Sequence, residues 1–152
     1  MRQRRKAREV ALKVLYGLDI LNTDVRGAIE LFWNNFEAHK GAREFSSLLI
    51  EGTWKNKDQI DSLISSCSEN WSLARMSRVD KGILRMAVYE LLYCNDIPPK
   101  VTLNEAIDLG KLYGSENSGA FINGILDALY AKLCKKDRNS STGVRGQESV
   151  VS

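Results

Sequence analysis

The chain has 152 residues, 43% hydrophobic and 27% charged, a length and balance that fit one soluble globular domain with its own core. One histidine (His39) and three widely separated cysteines (Cys67, Cys94, Cys134) exclude a histidine-rich metal site and argue against a zinc site or a disulfide framework. No apolar run reaches membrane-spanning length and no signal-peptide core follows the N-terminal charges, so the chain reads as cytoplasmic.

The net charge of +3 is unevenly spread. Residues 1–8 carry Arg2, Arg4, Arg5, Lys6 and Arg8 and no acid, and residues 135–152 carry four basic and two acidic residues. The body between them is therefore net −4. A basic start on an acidic body points to a localised anionic partner.

Ala7, Val10, Ala11, Val14, Leu15, Leu18 and Leu21 recur at spacings of three and four and predict a first helix over 3–21. Glu9 and Lys13 form a favourably ordered i,i+4 pair on it. A second helix fits 24–38, with Asp24 near its N-cap and Ile29, Phe32, Trp33 and Phe36 on its apolar side. Phe45, Leu48, Leu49 and Gly52 carry the same period through 42–55. Asn56, with Gln59 three residues later, reads as the cap of a fourth helix bearing Ile60, Leu63, Ile64 and Cys67. After a loop at 70–76, Ser77 reads as a cap with an acid, Asp80, at the third position.

From Val79 to Cys94 apolar residues fall on nearly every side, which predicts a buried central helix. Asn95-Asp96-Ile97-Pro98-Pro99 ends it. Thr102-Leu103-Asn104-Glu105 reads as a capping box for the next helix, with Gly114 after Tyr113 as its left-handed stop. The last helix carries Ile122, Ile125, Leu126, Leu129 and Leu133. No strand pattern and no internal repeat is present. The expectation is an all-α domain of about seven helices over 1–134, followed by a disordered polar tail at 135–152.

Residues 114–121, GSENSGAF, open like a P-loop, but Ala120-Phe121 stands where Lys-Ser/Thr must follow the second glycine, and a helix rather than a strand precedes it. The residues leave two readings of this turn. It is a plain helix-to-helix connection, or its helix start and Phe121 meet a phosphate and a base. The arginine cluster likewise is either a solvated basic end or a phosphate site, although cations oppose the dipole at a helix N-terminus. His39 lies in a polar turn, the acids form no evident pair, and no activated nucleophile or metal cluster stands out. Catalysis is not expected, and no cofactor motif is present.

Val79-Asp80-Lys81-Gly82-Ile83-Leu84-Arg85-Met86-Ala87-Val88-Tyr89-Glu90-Leu91, Asp96-Ile97-Pro98, Asn104-Glu105-Ala106-Ile107-Asp108-Leu109, Tyr113-Gly114 and Phe121-Ile122-Asn123-Gly124-Ile125-Leu126-Asp127 together resemble the bacterial NusB family of transcription antitermination factors, as do Arg4-Arg5-Lys6-Ala7-Arg8-Glu9 and Leu15-Tyr16. The resemblance covers residues 3–131. It implies a fold of two small helical subdomains and a non-catalytic factor that binds boxA RNA of ribosomal-RNA transcripts with NusE, a small-subunit ribosomal protein, in a complex with RNA polymerase. By position it implies RNA contacts at Arg4, Arg5, Arg8, Asn117, Ser118 and Phe121, and a NusE side that includes Tyr16 and Asp80. Ala120 stands where the family commonly has Lys or Arg, which implies one phosphate contact fewer. Gly110 stands where the family usually has Ala, which lowers helix propensity. The same fold also forms the N-terminal domain of certain ribosomal-RNA cytosine methyltransferases, but that reading requires a long catalytic domain where this chain has a polar tail. A purely protein-binding or self-associating relative is the third reading.

Overall fold

The computed structural model describes residues 2–21, 26, 27, 29, 40–68 and 72–141. Among them are six α-helices and one short 3-10 turn, Leu73–Arg75, with no strand. The helices are α1 (Arg2–Leu21), α2 (Lys40–Lys55), α3 (Lys57–Ser66), α4 (Arg78–Tyr93), α5 (Pro99–Tyr113) and α6 (Ser118–Ser141). Of the helix expected over 24–38, only Arg26, Gly27 and Ile29 are described, and these are helical; the rest of that segment and His39 lie outside the described residues.

The apolar stripe of α1 is buried as its spacing requires: Val10, Ala11, Val14, Leu15 and Leu18 all face the core. Helix α4 is buried continuously from Gly82 to Glu90, including Ile83, Leu84 and Val88 at no exposure. Each such side chain contributes about 1.5–3 kcal/mol through burial. Helix α4 packs against each of the other five. Helix α1 packs chiefly on α2 and α5 chiefly on α6, and both pairs pack on α4.

Four local readings change. Helix α5 begins at Pro99, not at Thr102, because proline's fixed φ and missing N–H cost nothing in a first turn. Thr102 and Glu105 therefore lie inside the helix and form no capping box. The Asn56 amide donates to the Gly52 carbonyl at 2.8 Å and so closes the end of α2, without a side-chain cap for α3. Gly114 is extended (φ −93°, ψ −162°), not left-handed. Glycine is needed there because a Cβ would strike Ser118 and lie 2.8 Å from the Gly110 carbonyl oxygen. Helix α6 continues past Cys134 to Ser141, so the helical domain outruns the boundary expected at 134.

The Ser77 cap holds: its hydroxyl oxygen accepts from the Asp80 N–H at 3.0 Å. Gly110 has a packing role beyond propensity. A Cβ there would sit 2.7 Å from Ile122 Cδ1, so the missing side chain lets the end of α5 close onto the start of α6.

Candidate nucleic-acid interface

The first turns of α1 project three arginines, and the fold treats each differently. Arg4 is half-exposed, donates to Asp96 at 3.0 Å and lies 4.8 Å from the centre of the Phe45 ring. Arg5 is also half-exposed. Its Nε and Nη2 donate to the two Glu105 carboxylate oxygens at 3.2 and 2.8 Å, and Nη2 donates to Asp108 at 2.9 Å.

Arg8 is 3% exposed. Its Nε and Nη2 donate to both oxygens of Glu90, each at 2.8 Å, and its Nη1 lies 3.6 Å from Glu105. The Thr102 hydroxyl donates to the same Glu90 carboxylate at 2.9 Å. Arg8 is an internal fastening in this structure: a buried guanidinium held at both edges of its fork offers no charge to solvent, which speaks against the RNA contact expected of it. The fastening ties α1 to α4, with Thr102 and Glu105 joining it from α5.

These pairings shift protonation. The hydrogen bonds of Arg5 hold the Glu105 carboxyl below its ordinary 4.5; burial works the other way, and the charges of Arg5 and Arg8 add to the lowering. Hydrogen bonds and charge from Glu105, with Asp108 adding, raise the Arg5 guanidinium. A carboxyl lowered in the folded chain binds protons more readily when unfolded, so its stabilisation is present above pH 4.5 and fades as pH falls through the lower folded value. Thermal melts of the native chain should therefore lose stability below about pH 4.5, and Glu105→Gln should show a shallower acid slope. Identical slopes would mean that Glu105 is not held by Arg5 in solution.

The second strand of the site is the turn between α5 and α6. Asn117 is exposed, Phe121 is half-buried against the core, and Ala120 is exposed beside it. Ser118 is 2% exposed; its hydroxyl accepts from the Ser115 N–H at 2.9 Å and lies 3.2 Å from the Ser115 hydroxyl. The Ser118 side chain thus shapes the turn that carries Asn117 and Phe121. Helix α5 unites the two parts. It receives Arg5 at Glu105 and Asp108, and its Lys111 and Ile107 lie against Gly119 of α6. Lys13 of α1, 5.8 Å from the Tyr113 ring, adds a further contact between α1 and α5.

A second surface lies where the last turns of α1 meet the start of α4. Asp19 pairs with Arg78, Lys81 and Arg85 at 3.3 Å each. Burial by itself would raise its carboxyl, but Lys81 and Arg85 lower it below 3.8. Tyr16 and Ile20 flank this junction and are exposed. Asp80 is mostly buried there, and its Oδ1 has no hydrogen-bond partner among the described residues.

Sequence reasoning missed Asp108 as a partner of Arg5 and Tyr113 as a partner of Lys13. The i,i+3 spacing of Glu105 and Asp108 marks one face of a helix, but nothing local says that Arg5, about a hundred residues away, faces it. The cysteines are free thiols. Burial first, then the charges of Glu90 and Asp96, push the Cys94 thiol up to about 11, which keeps it protonated near neutral pH. No described helix is long and apolar enough to cross a membrane.

The model of the NusB family matches residues 5–131. A curated relative from Syntrophus aciditrophicus, named transcription antitermination protein NusB, is 71% identical over 90% of this chain and 85% of its own length. The solved structure of NusB from T. maritima superposes with a TM-score of 0.75 at 41% identity, covering 83% of this chain and 89% of that one. A chain from the crystal structure of the antitermination factors NusB and NusE in complex with dsRNA superposes with a TM-score of 0.78 at 30% identity, covering 87% and 98%. A family match over nearly all of the helical body, on a fold shared with solved members, settles the question the motifs raised: this chain belongs to the NusB family.

Proposed function

We propose that the chain is a transcription antitermination factor. It binds the boxA element of nascent ribosomal-RNA transcripts together with NusE and helps RNA polymerase read through terminators. The observation that carries this reading is the 71% identity to a relative named for that role. The factor has no catalytic activity of its own, and its place is the cytoplasm, where nascent bacterial transcripts and ribosomal proteins meet. The helical body that the family match spans, residues 5–131, forms the RNA-binding unit.

On this reading Arg4 and Arg5 contact RNA phosphates. Asn117 and Phe121 meet bases and backbone at the start of α6, in a turn shaped by Ser118. Half-burial of Phe121 supports a stacking role, because the core fixes the ring's orientation while part of it stays accessible. NusE meets Tyr16, with the exposed Ile20 beside it, and Asp80 lies buried beneath that face.

Fluorescence anisotropy of a labelled boxA RNA and a scrambled control, each with and without NusE, tests the function. Preference for boxA that NusE strengthens is expected, with a log–log salt slope of about −0.7 per phosphate contacted. Equal weak binding to both RNAs, indifferent to NusE, would end the reading. In the same assay Phe121→Ala should cost about 1–3 kcal/mol, or about 5- to 150-fold in affinity, with helicity unchanged. Native affinity in that variant would remove Phe121 from the interface.

A further inference from the structure

Arg5 is already occupied before any RNA arrives. Two carboxylates, Glu105 and Asp108, converge on its Nε and Nη2 edge within 3.2 Å. One cation facing two anions leaves this corner net negative. An open groove of about 400 Å³ adjoins it, lined by Arg5, Glu9, Glu105, Asp108, Lys111 and Leu112, among others. There is therefore room for a ligand beside the guanidinium, and the local charge works against an anionic one.

The two acids are held in different ways. Glu105 is 14% exposed and also lies near the buried Arg8, so it is anchored from behind. Asp108 is 51% exposed, and among the described residues its one ion pair is with Arg5. It can swing away without leaving a buried charge, whereas Glu105 cannot.

We infer that Asp108 is an internal competitor for the RNA phosphate at Arg5. It occupies Nη2 in the free protein and must yield when phosphate binds, so it sets the affinity of the site. The inference rests on the reading of Arg5 as a phosphate contact. A phosphate on Nη2 would take the place of the Asp108 oxygen and sit within a few ångströms of that carboxylate. At such exposure the lost pair and the added repulsion correspond to about three- to tenfold in affinity. The sign separates this from a bracing role. A brace that orients Arg5 strengthens RNA binding, and its removal weakens it; a competitor does the opposite.

The experiment is a double-mutant cycle with Asp108→Asn and Arg5→Ala in the full chain, read by anisotropy of labelled boxA RNA at about 0.1 M salt. Asp108→Asn keeps the shape and removes the charge. The expected result is an affinity about three- to tenfold higher, with the gain absent when Arg5 is also replaced. Weaker binding by Asp108→Asn would make Asp108 a brace and overturn the proposal. Unchanged binding, or a gain that persists without Arg5, would overturn it as well. If Arg5→Ala weakens binding while Asp108→Asn changes nothing, only the competition fails. If Arg5→Ala alone has no effect, the phosphate contact at Arg5 fails and the competition falls with it.

Discussion

Arg8→Ala should lower the melting temperature by about 6–20 °C, the shift expected from losing about 3–5 kcal/mol in a chain of this size. The cause lies in what remains. Glu90 is 2% exposed, and without Arg8 its carboxylate keeps the Thr102 hydroxyl as its one described hydrogen-bond partner. A buried charge that loses its counter-ion costs far more than the pair contributes when intact. The Phe45 ring also loses the guanidinium 5.4 Å from its centre. Because the pair is buried, the deficit should be nearly the same at 0.1 and 1 M salt. Replacing both partners, as Arg8→Met with Glu90→Leu, should recover much of the loss, since no orphaned charge is left. Well below its melting point the single variant should keep the native salt slope for RNA. A loss under about 1 kcal/mol would mean that the pair is solvated; a flattened salt slope would return Arg8 to the RNA contacts.

Arg85→Ala should cost about 2–4 kcal/mol in denaturant unfolding. Arg85 is nearly buried and donates to both oxygens of Asp61 at 2.7 and 2.8 Å and to Asp19 at 3.3 Å. Its loss strips Asp61 of its one described ion pair, whereas Asp19 keeps Arg78 and Lys81. That difference places the expected cost below that of Arg8. Arg85→Lys should recover less than half, because an ammonium cannot match a planar fork across two carboxylates. The network also braces the junction beside Tyr16 and Ile20, so NusE capture should fall more than RNA affinity does. Full rescue by lysine would mean that only the charge matters there.

The helical architecture was legible because its signal is local. The 3–4 spacing from Ala7 to Leu18 on α1, the all-round apolar character of α4, and Ser77 as a cap each depend on neighbours within a turn or two of helix. The motifs that resembled the family lie mostly on α4, α5 and the start of α6, and the family match covers the same span. The basic start could be read as a partner signal from charge asymmetry alone.

The sequence could not say which arginine faces outward. Arg4, Arg5 and Arg8 are chemically identical and lie within one turn and a half of helix. Only the packing of α1 against α4 and α5 turns Arg8 inward to Glu90 and leaves Arg4 and Arg5 at the rim. Thr102-x-x-Glu105 fits a capping box by local rules, yet Pro99 starts the helix earlier, and the two side chains are claimed by Glu90 and Arg5 instead. Gly114 and Gly110 likewise look like propensity features until Ser118 and Ile122 fill the space a Cβ would need. In each case the deciding partner comes from a neighbouring helix or turn that only packing sets in place. Composition and periodicity determined which segments are helices and which faces are apolar; the tertiary structure alone decided which charges are buried in pairs and which remain at the surface, because that choice depends on contacts between residues as much as a hundred positions apart.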